Sequence, residues 1–309
     1  MQRQPPQPVE VASVTRNESV PTKHQPLLTV RDHVVLSDLS IYRYLTVAQV
    51  ARLRFGHRKL AERRMRRLNA LRVVERFQPC AAPRTGFHEW IYRLSLSGAQ
   101  IVAADKAVPV DKVKPPVRRP RGGDYLAHHR ELTDFRIWLH EGCRASAGAF
   151  ALDFIPAYEE CRTDGRRHRR AGVEIPSVGR AIIPDAVFCL HRRDGRAALL
   201  MLEIDRGTEP LSGGHPNAIS RKLDRYHHAF EARAEASLAT MFGHEFKGFR
   251  ILFVVPDAHR ANAVLRLAER AELDPLIWVT TRDRVTISGD LGAPIWQDGH
   301  SSSPRTLAD

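Results

Sequence analysis

The positions of apolar residues between residues 30 and 105 predict a helical segment followed by a hairpin. Thr46 and Gln49 stand three residues apart before an apolar stretch, which is typical of a capping box at a helix start. After a break at Gly56, apolar residues recur at helical spacing and the positions between them are mostly basic. The predicted elements are an amphipathic segment over 36–45, a short helix over 46–53, a helix over 57–71, strands over 73–77 and 89–96, and a helix over 97–105. This order is typical of a winged helix-turn-helix.

Beyond residue 123 the apolar pattern alternates between the periods of helices and strands. The predicted elements are helices over 124–141, 217–238 and 258–271, strands over 150–158, 249–255 and 276–280, an arginine-rich loop over 162–170 and a hairpin over 183–211. Their order indicates a mixed sheet flanked by helices. The fold class predicted for the chain is therefore α+β to α/β, a winged helix followed by a mixed-sheet α/β domain.

Composition divides the chain into five predicted segments. Residues 1–26 are polar and rich in Pro and Gln, which is typical of a disordered arm. The winged-helix domain takes residues 27–105, and the Pro-rich basic stretch over 106–123 is predicted to be a semi-rigid linker. The α/β domain takes residues 124–290, and the Ser/Pro-rich residues 291–309 are expected to form a flexible tail.

Three acids, Asp185, Glu203 and Asp205, fall in the two apolar runs of the hairpin over 183–211, where a buried strand should carry none. Residues symmetric about the turn of an antiparallel hairpin face each other, and the midpoint of 185 and 203 is the turn residue Asp194. Asp185 and Glu203 are therefore predicted to be cross-strand neighbours, with β-carbons about 5 Å apart. Asp205 follows Glu203 on the same face because side chains alternate along a strand.

Three carboxylates on one face repel one another unless cations neutralise them. Oxygen donors suit Mg²⁺ or Mn²⁺, so Asp185, Glu203 and Asp205 are predicted to be metal ligands and catalytic residues. In the alternative, the acids lie at strand ends and pair with Arg180, Arg206 or Arg221.

The net charge of +13 lies entirely in the first part of the chain. Residues 1–122 hold 23 Lys+Arg and 9 Asp+Glu, whereas the remainder holds 25 and 26. A basic module of this kind is typical of nucleic-acid binding, because contacts to phosphates release counterions. The alternatives are a solvated helix face and, less favoured, a basic membrane-binding patch. The predicted DNA-binding residues are Lys59, Arg63, Arg64, Arg66 and Arg67 on the helix over 57–71, and Arg84 in the hairpin.

Several classes of protein are not supported by the sequence. No run of about 18 apolar residues and no apolar stretch after Met1 is found, so the expected location is the cytoplasm, with association to the nucleoid and no membrane partner. The four cysteines lie far apart without a CxxC pair, which argues against a zinc module or a disulfide framework. The pairs His128-His129 and His227-His228 lack the spacing of metal ligands and are assigned to helix surfaces or interfaces. No glycine-rich nucleotide-binding motif occurs.

A helix, a hairpin with Pro184-Asp185 on one strand and Glu203-Ile204-Asp205 on the next, and another helix resemble the core of the PD-(D/E)xK nuclease superfamily. Over about residues 30–280 the chain is similar to the replication-relaxation family of plasmid and mobile-element proteins. The segments that carry this similarity are YRLSLSGAQIV, IPDAVF, LEIDRGTEPL, RKLDRYHHAF and FRILFVVPDAHR. The resemblance implies a restriction-endonuclease-like fold for residues 124–290.

The sequence differs from the nuclease pattern at Asp205. At this position those enzymes carry a lysine that orients or activates the attacking water beside the metal. Lys222 on the next helix is the candidate that replaces this lysine, with Tyr226 one turn further along the same face. Arg206 is a candidate for binding the scissile phosphate or for neutralising Asp205. Glu131 is a candidate for the extra helical acid of some of these nucleases. For Lys222, Tyr226 and Glu131 the alternative is an ordinary packed or solvated helix position.

Three functions are consistent with the sequence. In the first, the protein binds double-stranded DNA in the replication, transfer or processing of a plasmid or mobile element, and its nuclease-like domain grips DNA or docks replication or transposition partners. In the second, it is a Mg²⁺-dependent endonuclease or nickase in which Lys222 assists the acids. In the third, it is a transcriptional regulator whose second domain forms a homodimer.

Overall fold

A computed structural model describes residues 28–78, 89–113, 123–163, 166–175, 180–215, 218–301 and 303–308. The predicted arm over 1–26, the hairpin tip with Arg84 and residues 114–122 of the predicted linker lie outside the described residues.

The N-terminal part has the order of elements of a winged helix-turn-helix. Its three strands form an antiparallel sheet in the order β1-β3-β2, which adds the short strand β1 to the predicted hairpin. The elements are α1 (Val30–Tyr42), β1 (Leu45–Thr46), α2 (Val47–Val50), a π-helical turn (Ala51–Phe55), α3 (Arg58–Ala70), β2 (Val74–Phe77), β3 (Ile91–Leu94) and α4 (Leu96–Asp105).

Local sequence signals explain these boundaries. The Thr46 hydroxyl accepts a hydrogen bond from the Gln49 amide at 3.2 Å, and the Gln49 side chain accepts one from the Thr46 amide at 2.9 Å. This confirms the capping box, which satisfies two amides at the start of α2. Gly56 ends the π-helical turn in the left-handed conformation, at φ 66°, which glycine adopts without steric cost.

The C-terminal part is built on a mixed five-stranded sheet in the order β12-β11-β10-β9-β4. Strands β10, β11 and β12 are parallel, whereas β9 and β4 join them in antiparallel pairs. The elements are α5 (Gly123–Ala145), β4 (Phe150–Pro156), β5 (Glu160–Thr163), β6 (Arg166–Arg169), β7 (Val173–Ile175), β8 (Arg180–Ile182), β9 (Ala186–Arg192), β10 (Ala197–Ile204), α6 (Ile219–Glu231), α7 (Ala236–Phe242), β11 (Arg250–Val255), α8 (Ala258–Arg270), β12 (Ile277–Thr281) and α9 (Arg282–Ser288).

Helices cover both faces of this sheet, which is why its central strands are apolar throughout. On one face Met201 and Phe253 pack with residues of α6 and α8. On the other face Leu202 and Leu252 pack with residues of α5 and α9. The prediction of a mixed α+β chain is confirmed.

Three segments differ from the sequence-based expectations. The arginine-rich segment over 162–170 contains two antiparallel strands where a loop was expected: residues 162–163 belong to β5 and residues 166–169 to β6, and residues 164–165 lie outside the described residues. The predicted helix over 217–238 is two helices, α6 and α7, separated near Arg233, whose φ of 52° is not helical. The described residues of the expected flexible tail, 291–301 and 303–308, are instead packed on the sheet, with Trp296 fully buried and paired with Arg305 in a β-bridge. The apolar side chains of this tail hold it there by filling the core below α5.

Helix α5 belongs to both parts of the molecule. Its Ile137 lies in the winged-helix core, whereas Phe135 and Trp138 lie in the core under the five-stranded sheet. The Gln49 side chain also donates to Asp134 Oδ1 of this helix at 3.0 Å. The winged helix is therefore packed directly on the second part. None of the described helices is long and apolar enough to cross a membrane.

Candidate functional site

The acidic hairpin has the predicted register. Ala186 of β9 pairs with Leu202 of β10. Because the strands are antiparallel, the residue before Ala186 lies opposite the residue after Leu202, so Asp185 faces Glu203. The Asp185 amide donates to the Leu202 carbonyl at 2.9 Å, and Asp185 Oδ2 accepts from the Ile204 amide at 2.7 Å. Because β10 and β11 are parallel, Glu203 lies where their carboxyl ends meet, and Asp185 lies at the same edge of the sheet.

Glu203 is the buried member of this pair, with only 3% of its side chain exposed. Lys222 Nζ lies 2.8 Å from Glu203 Oε2, and the Tyr226 hydroxyl donates to Glu203 Oε1 at 2.5 Å. Both partners come from α6, one turn apart, as the spacing of the sequence predicted. Lys222 Nζ also lies 3.3 Å from Glu209 Oε2. The structure thus brings an aspartate, a glutamate and a lysine to one sheet edge.

The electrostatics of the pair follow from burial and charge. Burial raises the pKa of Glu203, and the neighbouring Asp185 charge raises it further, while Lys222 opposes both effects. Burial lowers the proton affinity of Lys222, but the charges of Glu203, Asp185 and Glu209 outweigh it, so the pKa of Lys222 is above its ordinary value. Lys222 is therefore the cation that compensates the buried Glu203. The pKa of Tyr226 is also raised, first by burial and then by the charge of Glu203. Tyr226 is therefore a neutral phenol that donates a hydrogen bond to Glu203.

The sequence did not identify the partner of Asp185. His128 Nε2, on α5, lies 3.0 Å from Asp185 Oδ1. Burial opposes a charge on either group, but their mutual hydrogen bond and attraction lower the pKa of Asp185 and raise the pKa of His128. His128 therefore lies at an interface, between α5 and the sheet edge, which is one of the two positions expected from the sequence. No sequence signal linked His128 to a residue 57 positions away, because the contact depends on how α5 packs on the sheet.

Asp205 does not join Asp185 and Glu203 in a three-carboxylate group. Its Oδ2 lies 2.5 Å from Arg260 Nε of α8, and its Oδ1 accepts from the Gly207 amide at 2.7 Å. The same guanidinium donates to the Glu209 carbonyl at 2.6 Å. Asp205 and Arg260 therefore fix the loop between β10 and α6.

Arg206 contacts other residues than the sequence suggested. It lies 3.6 Å from Glu131 Oε1 and 3.3 Å from Asp124 Oδ1, both on α5, so it does not neutralise Asp205. Glu131 is buried, and a second cation, Arg282, lies 3.2 Å from its Oε2. Burial raises the pKa of Glu131, and the two arginines oppose this effect. The partners of the three hairpin acids are thus His128, Lys222 and Arg260 rather than Arg206 or Arg221. The side chain of Arg180, the other predicted partner, lies outside the described part of the chain.

The donor atoms do not fit a Mg²⁺ or Mn²⁺ ion held by three carboxylates. Both Glu203 oxygens are bound by Lys222 and Tyr226, and both Asp205 oxygens are bound by Arg260 and Gly207. Within the described residues, no group of three His, Cys, Asp or Glu side chains could hold a metal ion. The arrangement is instead a chain of compensated ion pairs.

Helix α3 carries the second candidate site, formed by basic side chains. Its Ala61, Met65 and Leu68 are buried, so the helix turns its other faces outwards. Lys59, Arg63 and Arg67 are exposed there, and none of them has an ion-pair or hydrogen-bond partner among the described residues.

Two of the other predicted DNA-binding arginines have acidic partners. Arg64 binds the fully buried carboxylate of Asp32 on α1, so it fastens α3 to the winged-helix core. Arg66 is exposed and pairs with Glu62 one turn earlier on the same helix. Arg84, the sixth predicted residue, lies outside the described residues.

The architecture defines a mixed α+β protein in which a winged helix-turn-helix packs against a helix-flanked sheet with a buried acid–lysine pair at its edge. The sequence profile of the replication-relaxation family matches residues 36–243, well over half of the chain, and the chain belongs to this family. Membership indicates a function related to replication or mobile elements. A search of curated proteins and a search of solved structures give no match. The relation to PD-(D/E)xK nucleases stays a prediction.

Proposed function

We propose that this protein binds double-stranded DNA through helix α3, in the replication, transfer or processing of a mobile element. The observation that carries the proposal is the exposed row formed by Lys59, Arg63 and Arg67 on α3, whose charges are not compensated by described residues. In a winged helix-turn-helix the third helix enters the major groove, and unpaired basic side chains on such a helix are available to phosphates and base edges.

In this proposal the second part of the molecule supports DNA binding and does not cut DNA. The acids at the sheet edge are compensated by cations of the chain itself, Glu203 by Lys222 and Asp185 by His128. Asp205, at the position of the nuclease lysine, is used to hold the β10–α6 loop through Arg260. A nuclease would have to break these ion pairs before its carboxylates could take a metal.

One observation favours a second function, cleavage of DNA with Mg²⁺ or Mn²⁺. Lys222 reaches Glu203 from the neighbouring helix, next to Asp185, and so restores the acid–acid–lysine combination of PD-(D/E)xK nucleases. The two functions make opposite predictions for catalysis but the same prediction for α3.

The DNA-binding role is tested with charge-matched variants. Arg63→Gln with Arg67→Gln removes two charges one turn apart on α3, and Arg266→Gln with Arg270→Gln removes two at the same spacing on the exposed face of α8. Fluorescence anisotropy with a labelled duplex should show weaker binding for the α3 variant and a salt slope reduced by about two, one unit for each lost phosphate contact. Equal DNA affinities of the α3 and α8 variants would refute the assignment of α3 as the DNA-binding helix.

Cleavage is tested by incubating the wild-type protein with supercoiled plasmid and Mg²⁺ or Mn²⁺. The proposed non-cleaving role predicts that the plasmid stays supercoiled and that calorimetry detects no metal binding. Nicked or linear product that disappears in Asp185→Asn and in Glu203→Gln, with DNA affinity retained, would establish the nuclease function instead.

A further inference from the structure

A cleft of about 760 Å³ lies between the winged helix and the second part of the molecule, and the proposed function does not use it. The winged helix contributes the last turn of α1 and the segment after α4, and the second part contributes α5 and residues 158–160. Small-molecule sites commonly have volumes of about 300–1,000 Å³ and often lie between domains. This cleft has the size and the position of such a site.

Arg136 of α5 is the cleft residue that most requires a partner. Only 8% of it is exposed, and its guanidinium lies 4.9 Å from the centre of the Tyr42 ring and 4.8 Å from that of Phe154. The ring faces attract the cation, but its Nε and Nη1 atoms have no hydrogen-bond partner, and no described acid pairs with it. A charge buried to this extent is costly unless an opposite charge compensates it. An anion in the cleft would supply that charge.

Three further cations line the cleft without an acidic partner among the described residues. Lys106 and Lys112 are exposed, and Lys106 Nζ donates to the Ser40 hydroxyl at 3.1 Å. The guanidinium of Arg43 lies 4.7 Å from the centre of the Tyr158 ring. Together with Arg136 these cations come from both parts of the molecule, so the positive charge surrounds the cleft.

The acids of the cleft do not compensate these cations. Glu159 Oε2 lies 2.8 Å from Arg170 Nη1, and Glu160 Oε1 lies 3.5 Å from Arg169 Nη1. The third acid, Asp111, is exposed on the 3-10 turn Val110–Lys112. Once the two ion pairs are set aside, four of the five lining cations face one of the three lining acids.

Much of the remaining wall is apolar. Leu39, Leu94 and Val113 are buried there, and Ile41 and Val108 are partly exposed. Contacts to a DNA backbone require charge but no apolar surface, whereas small-molecule sites combine an apolar wall with a few polar groups. The combination therefore favours a small molecule that carries both a phosphate and an apolar or planar group.

The cleft also lies apart from the basic row of α3. Arg64 fastens α3 to Asp32 in the first turn of α1, whereas the cleft begins at Leu39 in the last turns. Seven residues of α-helix span about 10 Å. A duplex held by α3 therefore need not enter the cleft.

We propose that this cleft binds a nucleotide-sized phosphorylated ligand, whose phosphate lies against Arg136, Lys106 and Lys112 and whose apolar part packs on the apolar wall. The planar guanidinium of arginine suits phosphate oxygens, and lysine adds point charges. Because both parts of the molecule line the cleft, the bound ligand fastens the winged helix to the second part. The site uses none of the residues of the basic row on α3, so either proposal can fail without the other.

The test uses the full chain, with adenosine diphosphate and guanosine diphosphate as probes and calorimetric titration as the measurement. At least one diphosphate should bind with Kd below about 1 mM and raise Tm with concentration. Lys106→Gln with Lys112→Gln, which changes two exposed residues, should weaken this binding on the order of tenfold. Arg266→Gln with Arg270→Gln on α8, the control for net charge, should leave it unchanged. Adenosine, guanosine and inorganic phosphate should each bind more weakly than the diphosphates.

Arg136→Met separates ligand binding from a purely structural role. Methionine keeps an unbranched apolar side chain beside Tyr42 and Phe154 and removes the uncompensated charge. Without ligand the variant should unfold at the wild-type Tm or above it, because an apolar replacement of a buried charge is often neutral or stabilising. The rise in Tm with the diphosphate should be lost. If the variant does not fold, the double lysine variant decides.

Three results would overturn the inference. The first is the absence of binding of either diphosphate below about 1 mM, and the second is equal affinity in the double lysine variant and the α8 control. The third is inorganic phosphate binding as tightly as the diphosphates, because the apolar wall would then have no role. A loss of duplex affinity in the double lysine variant, without nucleotide binding, would assign these cations to DNA instead. None of these results bears on α3, whose assignment depends on the Arg63 and Arg67 variant.

Discussion

The Lys222–Glu203 pair gives the sharpest prediction for stability. Lys222→Met removes the cation that lies 2.8 Å from a carboxylate with 3% exposure. Removing one partner of a buried ion pair leaves an uncompensated charge and typically costs 3–5 kcal/mol; because Lys222 keeps some contact with solvent, we expect a loss of about 3 kcal/mol at pH 8. For a unit of this size that loss corresponds to a fall in Tm of about 6–12 °C.

The loss should depend on pH. Because burial raises the pKa of Glu203 in the folded chain, a variant without Lys222 is least affected at low pH, where Glu203 binds a proton. Its deficit relative to the wild type grows as pH rises through that pKa. Scanning calorimetry between about pH 5 and pH 8 measures this dependence.

Two further variants make the result decisive. Arg221→Met, an exposed change one residue earlier on α6, carries the same loss of charge and should shift Tm little. Lys222→Met combined with Glu203→Gln removes both charges and should recover about 2 kcal/mol of the loss, and Glu203→Gln alone completes the cycle that gives the coupling energy of the pair. A Lys222→Met variant as stable as Arg221→Met at pH 8 would refute the reasoning.

Three other changes test the remaining contacts. Trp296→Ala should cost about 3–5 kcal/mol in urea unfolding because the ring is fully buried, and a near-neutral effect would restore the flexible-tail interpretation. His128→Gln should lower Tm at pH 6, and the difference should vanish as pH rises, because the pKa of His128 is raised by Asp185 and its contribution is lost above that pKa; a constant difference would contradict the pair. Arg64→Ala should destabilise the winged helix because Asp32 stays buried, and recovery in a variant that also carries Asp32→Asn would be visible by calorimetry.

Much of the fold could be predicted from local pattern. The capping box at Thr46 and the hairpin register about Asp194 depend on residues that are close in sequence, and both follow from geometry alone. Lys222 could be placed near Glu203 because the resemblance to the nuclease core puts a helix after the second strand, and the helical spacing of Lys222 and Tyr226 puts both on one face.

The remaining features depend on packing between distant segments. Arg260 reaches Asp205 from 55 residues away, and His128 reaches Asp185 because α5 crosses the sheet, so neither partner has a local signal. The tail around Trp296 was assigned by its Ser and Pro content, although a few apolar side chains suffice to hold a segment in a core.

Helix α5 has a consequence for how this architecture can be divided or recombined. A fragment that ends before residue 123 lacks Ile137, which fills the winged-helix core, and it leaves the carboxamide of Gln49 without the Asp134 carboxylate. A fragment that begins there carries Ile137 on its surface. A chimera joined in the linker should therefore fold only if the incoming α5 keeps Ile137 and Asp134, whereas one joined after residue 145 should fold only if its α5 keeps Phe135 and Trp138 for the sheet.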